Sequence, residues 1–235
     1  MESSTTSGSS AFGTSDGRGR NFDLDRVGRV LARRADQIQR PAVEFGTLLA
    51  DPVFWGWNVP RGDSHSVFVL PGLGGGDAYL TPMRGWLQRI GYRPMRSGLR
   101  FNPGWSEELV EEIGELIRAE FERSGSPVTI IGHSMGGVIG RSVAARSPYM
   151  IRHVVALASP LIVARSRLSA SVPITALFSR SDPIVRHPAG LARDPHATNI
   201  EVSGSHIGMP ANPEVYRRLG TLLRIGRVGD RPRAR

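Results

Sequence analysis

The sequence predicts an α/β protein with a mostly parallel central sheet and helices on both of its faces. Two observations lead to this fold class. Short apolar segments rich in Val and Ile alternate along the chain with longer segments of helical periodicity, and residues 128–131 run directly into a glycine-flanked serine turn and a helical segment. At 235 residues the chain is long enough for one domain with a sizeable core.

Local patterns predict each element in turn. Apolar residues recur with helical spacing over residues 24–40, and Pro41 is expected to end that helix. Ser106 is expected to cap a long helix that carries acidic residues in its first turn. Further helices are predicted at about 79–90, 138–146 and 212–223. The predicted strands are 66–70, 92–97, 128–131, 151–157, 174–178 and 199–202.

The strand at 128–131 ends in Gly132-His133-Ser134-Met135-Gly136, a Gly-x-Ser-x-Gly pattern at a strand-to-helix junction. This pattern is typical of a nucleophile elbow, in which a strained turn presents a serine hydroxyl. The turn would lift the Ser134 hydroxyl out of the sheet, beside the positive N-terminus of the next helix. Because the chain is rich in Gly and Ser, the prediction depends on this strand-and-helix context rather than on the pattern alone.

The first predicted strand is followed by a glycine-rich loop, Pro71-Gly72-Leu73-Gly74-Gly75-Gly76. A dinucleotide fingerprint does not fit, because the third glycine falls one position early and no acidic residue follows about twenty residues on. A Walker phosphate loop does not fit either, because Gly-Lys-Ser and Gly-Lys-Thr are missing. The loop instead predicts an oxyanion hole, with the backbone N–H groups of Leu73 and Met135 as donors.

Asp182 and His206 lie just past the ends of the last two predicted strands. The chain order Ser134, Asp182, His206 is the order that a hydrolase of this topology requires. His206 would take the proton of Ser134, and Asp182 would hold the imidazole tautomer and stabilise its charge. Asp194 is the competing acid, but it lies in the middle of a loop, whereas Asp182 closely follows a strand.

The remaining histidines are assigned other places. His133 lies inside the elbow and would border the pocket, although its position prevents it from serving as the base. His187 and His196 are expected at the surface, and His65 and His153 are expected to be structural. No group of His and carboxylate residues has metal-ligand spacing, so neither a metal nor a cofactor is expected.

Substrate-binding residues are expected around the serine. Gly72 would border the pocket together with His133. Leu161, Ile162 and Val163, in the loop after residues 151–157, would either line an acyl pocket or pack on the sheet. Of these three, Leu161 is the one expected to bind substrate. The substrate expected for such a site is a small ester or a lipid-like acyl compound.

The composition restricts the function further. The chain has no Cys, which excludes disulfides, a thiol nucleophile and Cys-based metal sites. All 30 basic residues are Arg, and seven of them lie in residues 217–235 with a single acid, so much of the net charge of +9 lies at the C-terminus. Such a run is usually a solvated tail, although it could form a patch for a nucleic acid or an anionic membrane surface. Stacking aromatic residues do not accompany it, which argues against a platform for single-stranded nucleic acid, and no nucleic-acid partner is expected.

The chain divides into four expected segments. Their bounds are a disordered Ser/Gly-rich leader at 1–20, an N-terminal helix and aromatic flap at 21–60, a catalytic domain at 61–225 and an Arg-rich tail at 226–235. In the second segment, Phe54, Trp55 and Trp57 are expected to pack as a flap over the core. No secretory signal and no run of about 18 apolar residues is present, so a cytoplasmic location is expected.

Over about residues 66–223 the chain resembles the α/β-hydrolase superfamily, in its small bacterial lipase and esterase branch. The resemblance implies that Ser134 is the nucleophile, Asp182 the acid and His206 the base. One departure is Pro71, since many members have His before the first glycine of the oxyanion loop. Many relatives also insert a helical cap where this chain has only residues 158–172, so an open site is expected. The segments that carry the resemblance are 69–74, 132–137, 181–185 and 204–206.

The sequence therefore predicts a serine-dependent carboxylic ester hydrolase that works through an acyl-enzyme. A thioesterase or acyltransferase would use the same acyl-enzyme with a different acyl donor or acceptor, and the sequence leaves these alternatives open. A non-catalytic binding protein on the same fold is a further alternative, which predicts a damaged triad. The sequence does not indicate an oligomeric state or the length of the acyl chain.

Overall fold

A computed structural model of the chain describes residues 36–163, 172–194 and 196–225. These residues form a six-stranded sheet in the order β2-β1-β3-β4-β5-β6, in which all neighbouring strands are parallel. The predicted α/β class is confirmed. The strands are β1 (Ser66–Leu70), β2 (Arg93–Arg96), β3 (Val128–His133), β4 (Ile151–Leu157), β5 (Ile174–Phe178) and β6 (Thr198–Glu201).

Helices cover both faces of the sheet. Successive residues of a strand point to opposite faces, and in β1 Val67 and Val69 enter one core cluster while Phe68 and Leu70 enter the other. The first cluster is completed by α1, α2 and α6, and the second by α3 and α4. The helices are α1 (Asp36–Ala50), α2 (Thr81–Arg89), α3 (Glu107–Ser124), α4 (Met135–Arg146), the short α5 (His187–Gly190) and α6 (Pro213–Ile225).

The central strands agree with the prediction because they are buried on both faces. Every residue of β1, β3 and β5 is buried, as expected for interior strands of a parallel sheet. The predicted cap of α3 is also confirmed, since the Ser106 hydroxyl accepts a hydrogen bond from the Leu109 N–H at 3.1 Å. Helix α4 begins at Met135, three residues earlier than the predicted segment, directly after the serine turn.

The prediction that Pro41 ends the first helix is wrong. Pro41 lies inside α1, which continues to Ala50. A proline removes one backbone donor from a helix, but tertiary packing outweighs that cost here, because Leu48 is fully buried and Glu44 binds a distant loop. Residues 24–35 of the predicted helix lie outside the described residues.

The aromatic flap is confirmed only in part. Phe54 is buried and Trp86 donates its indole N–H to the carbonyl of Val53 nearby, so this turn does pack on the core. Trp55 and Trp57, however, are 52% and 69% exposed. The leader at 1–20 and the tail at 226–235 lie outside the described residues, and the division into segments remains a prediction. None of the helices in the described ranges is long and apolar enough to cross a membrane.

Candidate active site

Ser134 occupies the turn between β3 and α4. Its φ of 50° and ψ of −120° are unusual for a residue with a side chain, and they mark a strained backbone. The turn is held because the Ser134 N–H donates to the Leu157 carbonyl at 2.8 Å. A Cβ on Gly132 would overlap the backbone of Gly136, so the turn tolerates only glycine there. The half-buried Ser134 hydroxyl is thus presented at the carboxyl edge of the sheet.

The structure brings Ser134, His206 and Asp182 into one hydrogen-bonded line. His206 Nε2 lies 3.0 Å from Ser134 Oγ, and His206 Nδ1 lies 2.7 Å from Asp182 Oδ2. The acid and the histidine are only 4% and 5% exposed. Since an ionised carboxylate can only accept, Nδ1 carries the proton and Nε2 is free to accept the serine proton. This is the tautomer that a general base beside a serine requires.

The Asp182 carboxylate is held in place by the backbone N–H groups of residues that follow it in the chain. Its Oδ1 accepts hydrogen bonds from the N–H groups of Ile184 and Val185 at 2.8 and 2.9 Å, which leaves Oδ2 for His206. The competing acid, Asp194, instead forms a buried ion pair with Arg141. The structure therefore brings Asp182 and not Asp194 to the imidazole.

The glycine-rich loop lies beside the serine, and Leu73 and Met135 both line the same cavity. Within the described ranges, neither residue donates its backbone N–H to another protein group, so both donors are available to a ligand. The loop is held by Asn102, whose side chain donates to the Pro71 carbonyl at 2.7 Å and whose own carbonyl accepts from the Gly74 N–H at 2.8 Å. The sequence contained no local signal for this role of Asn102.

His133 connects the serine turn to the His206 loop and, through Tyr79, to the glycine-rich loop. Its Nε2 lies 2.9 Å from the His206 carbonyl, which can only accept, so Nε2 is protonated. Burial, reinforced by the nearby His206, lowers the pKa of His133 to about 3, so the ring is neutral. Its Nδ1 therefore accepts from the Tyr79 hydroxyl at 2.9 Å, and that hydroxyl accepts from the Gly72 N–H at 2.7 Å. Tyr79 was missed in the sequence.

A cavity of about 470 Å³ opens beside the serine. Gly72 and His133 border it, as predicted, and no Arg, Asp or Glu is found among the described residues of its wall. Leu161 does not line it and is a correction to the prediction, because its side chain is buried in the core cluster that α3 and α4 complete. Its neighbours Ile162 and Val163 do line it. The Leu, Ile, Val and Met side chains of the wall are Leu73, Met135, Ile162, Val163, Ile184, Val185 and Ile207.

The other four histidines lie outside the hydrogen-bonded line, and they differ in burial. His65 and His153 are buried and lie within hydrogen-bonding distance of Thr129 and Thr175, and His196 is exposed. His187 is half-buried against Phe178. In the part of the chain that the structure describes, no group of three or more His, Asp or Glu side chains could hold a metal ion.

The chain is similar to known proteins mainly in its fold. Residues 105–202 match the model of the PGAP1-like alpha/beta domain, a range that includes Ser134 and Asp182 and ends before His206. No curated protein sequence matches the chain significantly.

Solved structures of low sequence identity superpose on most of the chain. A monoacylglycerol lipase from Paleococcus ferrophilus is 15% identical, with 72% of this chain and 97% of that chain covered and a TM-score of 0.54. A Xanthomonas campestris pv. campestris protein assigned to the alpha/beta superfamily of hydrolases is 19% identical, with 68% and 98% covered and a TM-score of 0.55. A variant of Arabidopsis thaliana SOBER1 is 15% identical, with 68% and 99% covered and a TM-score of 0.55. These likenesses confirm the α/β-hydrolase fold that the sequence predicted.

Proposed function

We propose that this chain, which has the α/β-hydrolase fold, is a serine-dependent carboxylic ester hydrolase. The observation that carries the proposal is the continuous line from Ser134 Oγ through His206 to Asp182, with distances of 3.0 and 2.7 Å. A non-catalytic binding protein would have no need for the strained serine turn, which costs stability and serves to expose a nucleophile.

The geometry supports a two-step mechanism. Ser134 Oγ attacks the ester carbonyl while His206 Nε2 accepts its proton, and the backbone N–H groups of Leu73 and Met135 donate to the oxyanion. The imidazolium then protonates the leaving alkoxide, which leaves an acyl-enzyme. A water molecule that His206 deprotonates attacks this intermediate, and Ser134 regains its proton from the imidazolium when the acid product departs. Asp182 stabilises the imidazolium in both steps.

The wall of the cavity supports an uncharged, apolar acyl group as the part of the substrate beside Ser134. Among the described residues of the wall, the apolar side chains are aliphatic apart from the thioether of Met135, and the polar side chains are those of Ser134, the two histidines and Tyr79. A charged acyl group would lose its hydration without gaining a partner from this wall. A neighbour in fold, the Paleococcus ferrophilus protein, is a monoacylglycerol lipase, which is in keeping with an ester substrate.

The test is hydrolysis of p-nitrophenyl esters from acetate to palmitate, together with labelling by a fluorophosphonate probe. We expect Ser134→Ala to lower kcat by more than about 10⁴-fold and to abolish labelling, because the nucleophile is lost. Ser126→Ala, at an exposed serine before β3, is the matched control and should behave as wild type. Equal hydrolysis by wild type and Ser134→Ala would overturn the proposal.

The same experiment separates hydrolysis from acyl transfer. A thioesterase or acyltransferase would also be labelled at Ser134, but it would turn over slowly with water and oxygen esters and faster with a thioester or an added alcohol or amine acceptor. Folded wild-type protein with neither labelling nor turnover would instead favour a binding role.

A further inference from the structure

Helix α1, which precedes the part of the chain that resembles known hydrolases, reaches the loop of the candidate base. The Glu44 carboxylate accepts a hydrogen bond from the Ser205 N–H at 2.7 Å and a second from the Ser205 hydroxyl at 2.6 Å. Ser205 immediately precedes His206 and is 1% exposed. Two charge-assisted hydrogen bonds from one carboxylate therefore hold the residue next to the imidazole.

The loop is shaped around this carboxylate. The Gly208 N–H donates to the Ser205 hydroxyl at 3.1 Å, which closes the loop over the same oxygen that Glu44 binds. A Cβ on Gly208 would overlap the Glu44 carboxyl group, so the close approach depends on a glycine at this position. Glu44 is half-buried at this contact.

Side-chain contacts, rather than regular structure, give this loop its conformation. Residues 202–208 lie between the end of β6 and the turn Met209–Ala211. At the start of the loop, Glu214 accepts hydrogen bonds from the N–H and the hydroxyl of Ser203 at 3.1 Å. Asn212 and Ser181 donate to the carbonyls of Ser203 and Gly204. Closest to the imidazole are the contact of Glu44 with Ser205 and that of His133 with the His206 carbonyl.

We propose that Glu44 is a positioning residue for the proposed hydrolase, because it holds the His206 loop where the imidazole meets both Ser134 and Asp182. The proposal rests on the proposed function. It makes α1 a part of the active-site structure, although Glu44 is separated from Ser205 by 161 positions. Loss of the carboxylate should affect the chemical step and not the binding of substrate, because Glu44 is not part of the cavity wall.

The test compares three substitutions of Glu44 in full-length protein. We expect Glu44→Ala and Glu44→Asp to lower kcat about tenfold with KM nearly unchanged, because small displacements of a catalytic group reduce the rate strongly. Aspartate is one methylene shorter and cannot reach both groups of Ser205. Glu44→Gln has the right length, since its carbonyl can accept from the N–H and its amide can donate to the hydroxyl. It should keep kcat within about threefold of wild type.

The matched control is Thr47→Ala on the same helix. The Thr47 hydroxyl donates only within α1, to the Val43 carbonyl at 2.9 Å, and the residue is exposed. This substitution changes the same helix without touching the loop, and alanine is a better helix former than threonine, so kcat should stay at the wild-type value. A loss of kcat in Thr47→Ala equal to that in Glu44→Ala would overturn the proposal, because it would assign the effect to the helix as a whole.

A second readout does not require turnover. The proton between His206 Nδ1 and Asp182 should give a low-field ¹H NMR signal in wild-type protein, identified by its loss in Asp182→Asn. We expect this signal to persist in Glu44→Gln and to broaden or vanish in Glu44→Ala. An unchanged signal together with unchanged kcat in Glu44→Ala would overturn the positioning role.

This pair of measurements keeps the two proposals distinguishable. If wild-type protein shows no hydrolysis or labelling but the signal depends on Glu44 as expected, the hydrolase proposal fails and the positioning role stands. If hydrolysis depends on Ser134 but Glu44→Ala matches wild type in both measurements, the positioning role fails and the hydrolase proposal stands. A Glu44→Gln variant as impaired as Glu44→Ala would contradict positioning through hydrogen bonds.

Discussion

At the scale of single residues, Tyr79 and His133 connect the two halves of the candidate site. The Tyr79 hydroxyl accepts from the Gly72 N–H in the glycine-rich loop and donates to His133, whose other nitrogen donates to the His206 carbonyl. Burial raises the pKa of Tyr79 above its usual range, so the hydroxyl keeps the proton that this chain of bonds requires. These three hydrogen bonds form a relay of neutral groups, which connects the loop of the proposed oxyanion donors to the loop of the proposed base.

Replacing Tyr79 with Phe should therefore impair the chemical step. The substitution leaves the Gly72 N–H and the buried Nδ1 of His133 without the hydroxyl between them, and unpaired buried groups relax toward other partners. We expect kcat on a p-nitrophenyl ester to fall about tenfold and KM to change less than about twofold. Tyr149→Phe, at a 59% exposed tyrosine, is the control and should keep wild-type kcat. Wild-type kcat in Tyr79→Phe would show that the relay does not position the site.

At the scale of elements, the side chains of the short turn Leu161–Val163 lie in two different environments. Leu161 is 5% exposed and belongs to the core, whereas Ile162 and Val163 are 52% and 44% exposed and line the cavity. The sequence left both roles open for all three residues. A single tight turn can send neighbouring side chains in opposite directions, and hydropathy alone does not distinguish these directions.

Substitutions in this turn should separate stability from specificity. Leu161→Ala should lower the free energy of unfolding by about 2–4 kcal/mol while the ratio of long-chain to short-chain ester hydrolysis stays unchanged. Ile162→Asp should leave the free energy of unfolding nearly unchanged but lower kcat/KM on long-chain esters about tenfold, because a charge is placed beside an apolar chain. Urea unfolding and the chain-length profile measure the two effects. If Leu161→Ala changed the chain-length profile without lowering the free energy of unfolding, Leu161 would contact substrate.

At the scale of the whole molecule, two buried neutral histidines make stability depend on pH. Burial lowers the pKa of His133 to about 3 and that of His153 to about 4, from an ordinary value of 6.5. Between these values and 6.5 the unfolded chain binds protons that the folded chain does not. The stability contributed by the neutral rings is therefore complete above about pH 6.5 and is lost as the pH falls toward about 4 for His153 and about 3 for His133.

This linkage predicts the pH dependence of urea unfolding. As the pH falls from 6.5 to 4.5, we expect the free energy of unfolding to decrease with a slope approaching about 1.4 kcal/mol per pH unit for each of the two histidines. His153→Gln should remove one of the two contributions, since an amide can still bond the Thr175 hydroxyl but does not titrate in this range. Equal slopes for wild type and His153→Gln would contradict the burial of a neutral ring at this position.

The fold class, the central strands, the cap of α3 and the three residues Ser134, Asp182 and His206 could be predicted from the sequence alone. These features can be predicted because each depends on residues that are adjacent in the sequence. The patterns are an apolar run, a capping hydroxyl and a glycine-flanked turn at the end of a strand. The hydrolase topology then supplies the expected chain order of the three site residues.

The distant groups that support these three residues could not be predicted from the sequence and are seen only in the folded chain. Glu44 reaches Ser205 across 161 positions and Tyr79 reaches His133 across 54, and Asp194 is directed to Arg141 and away from His206. The same long-range packing keeps Pro41 inside a helix that local propensity would end there. The physical reason is that these residues are far apart in the sequence and meet only when the core packs. A local sequence pattern therefore does not show which distant residue will be the partner.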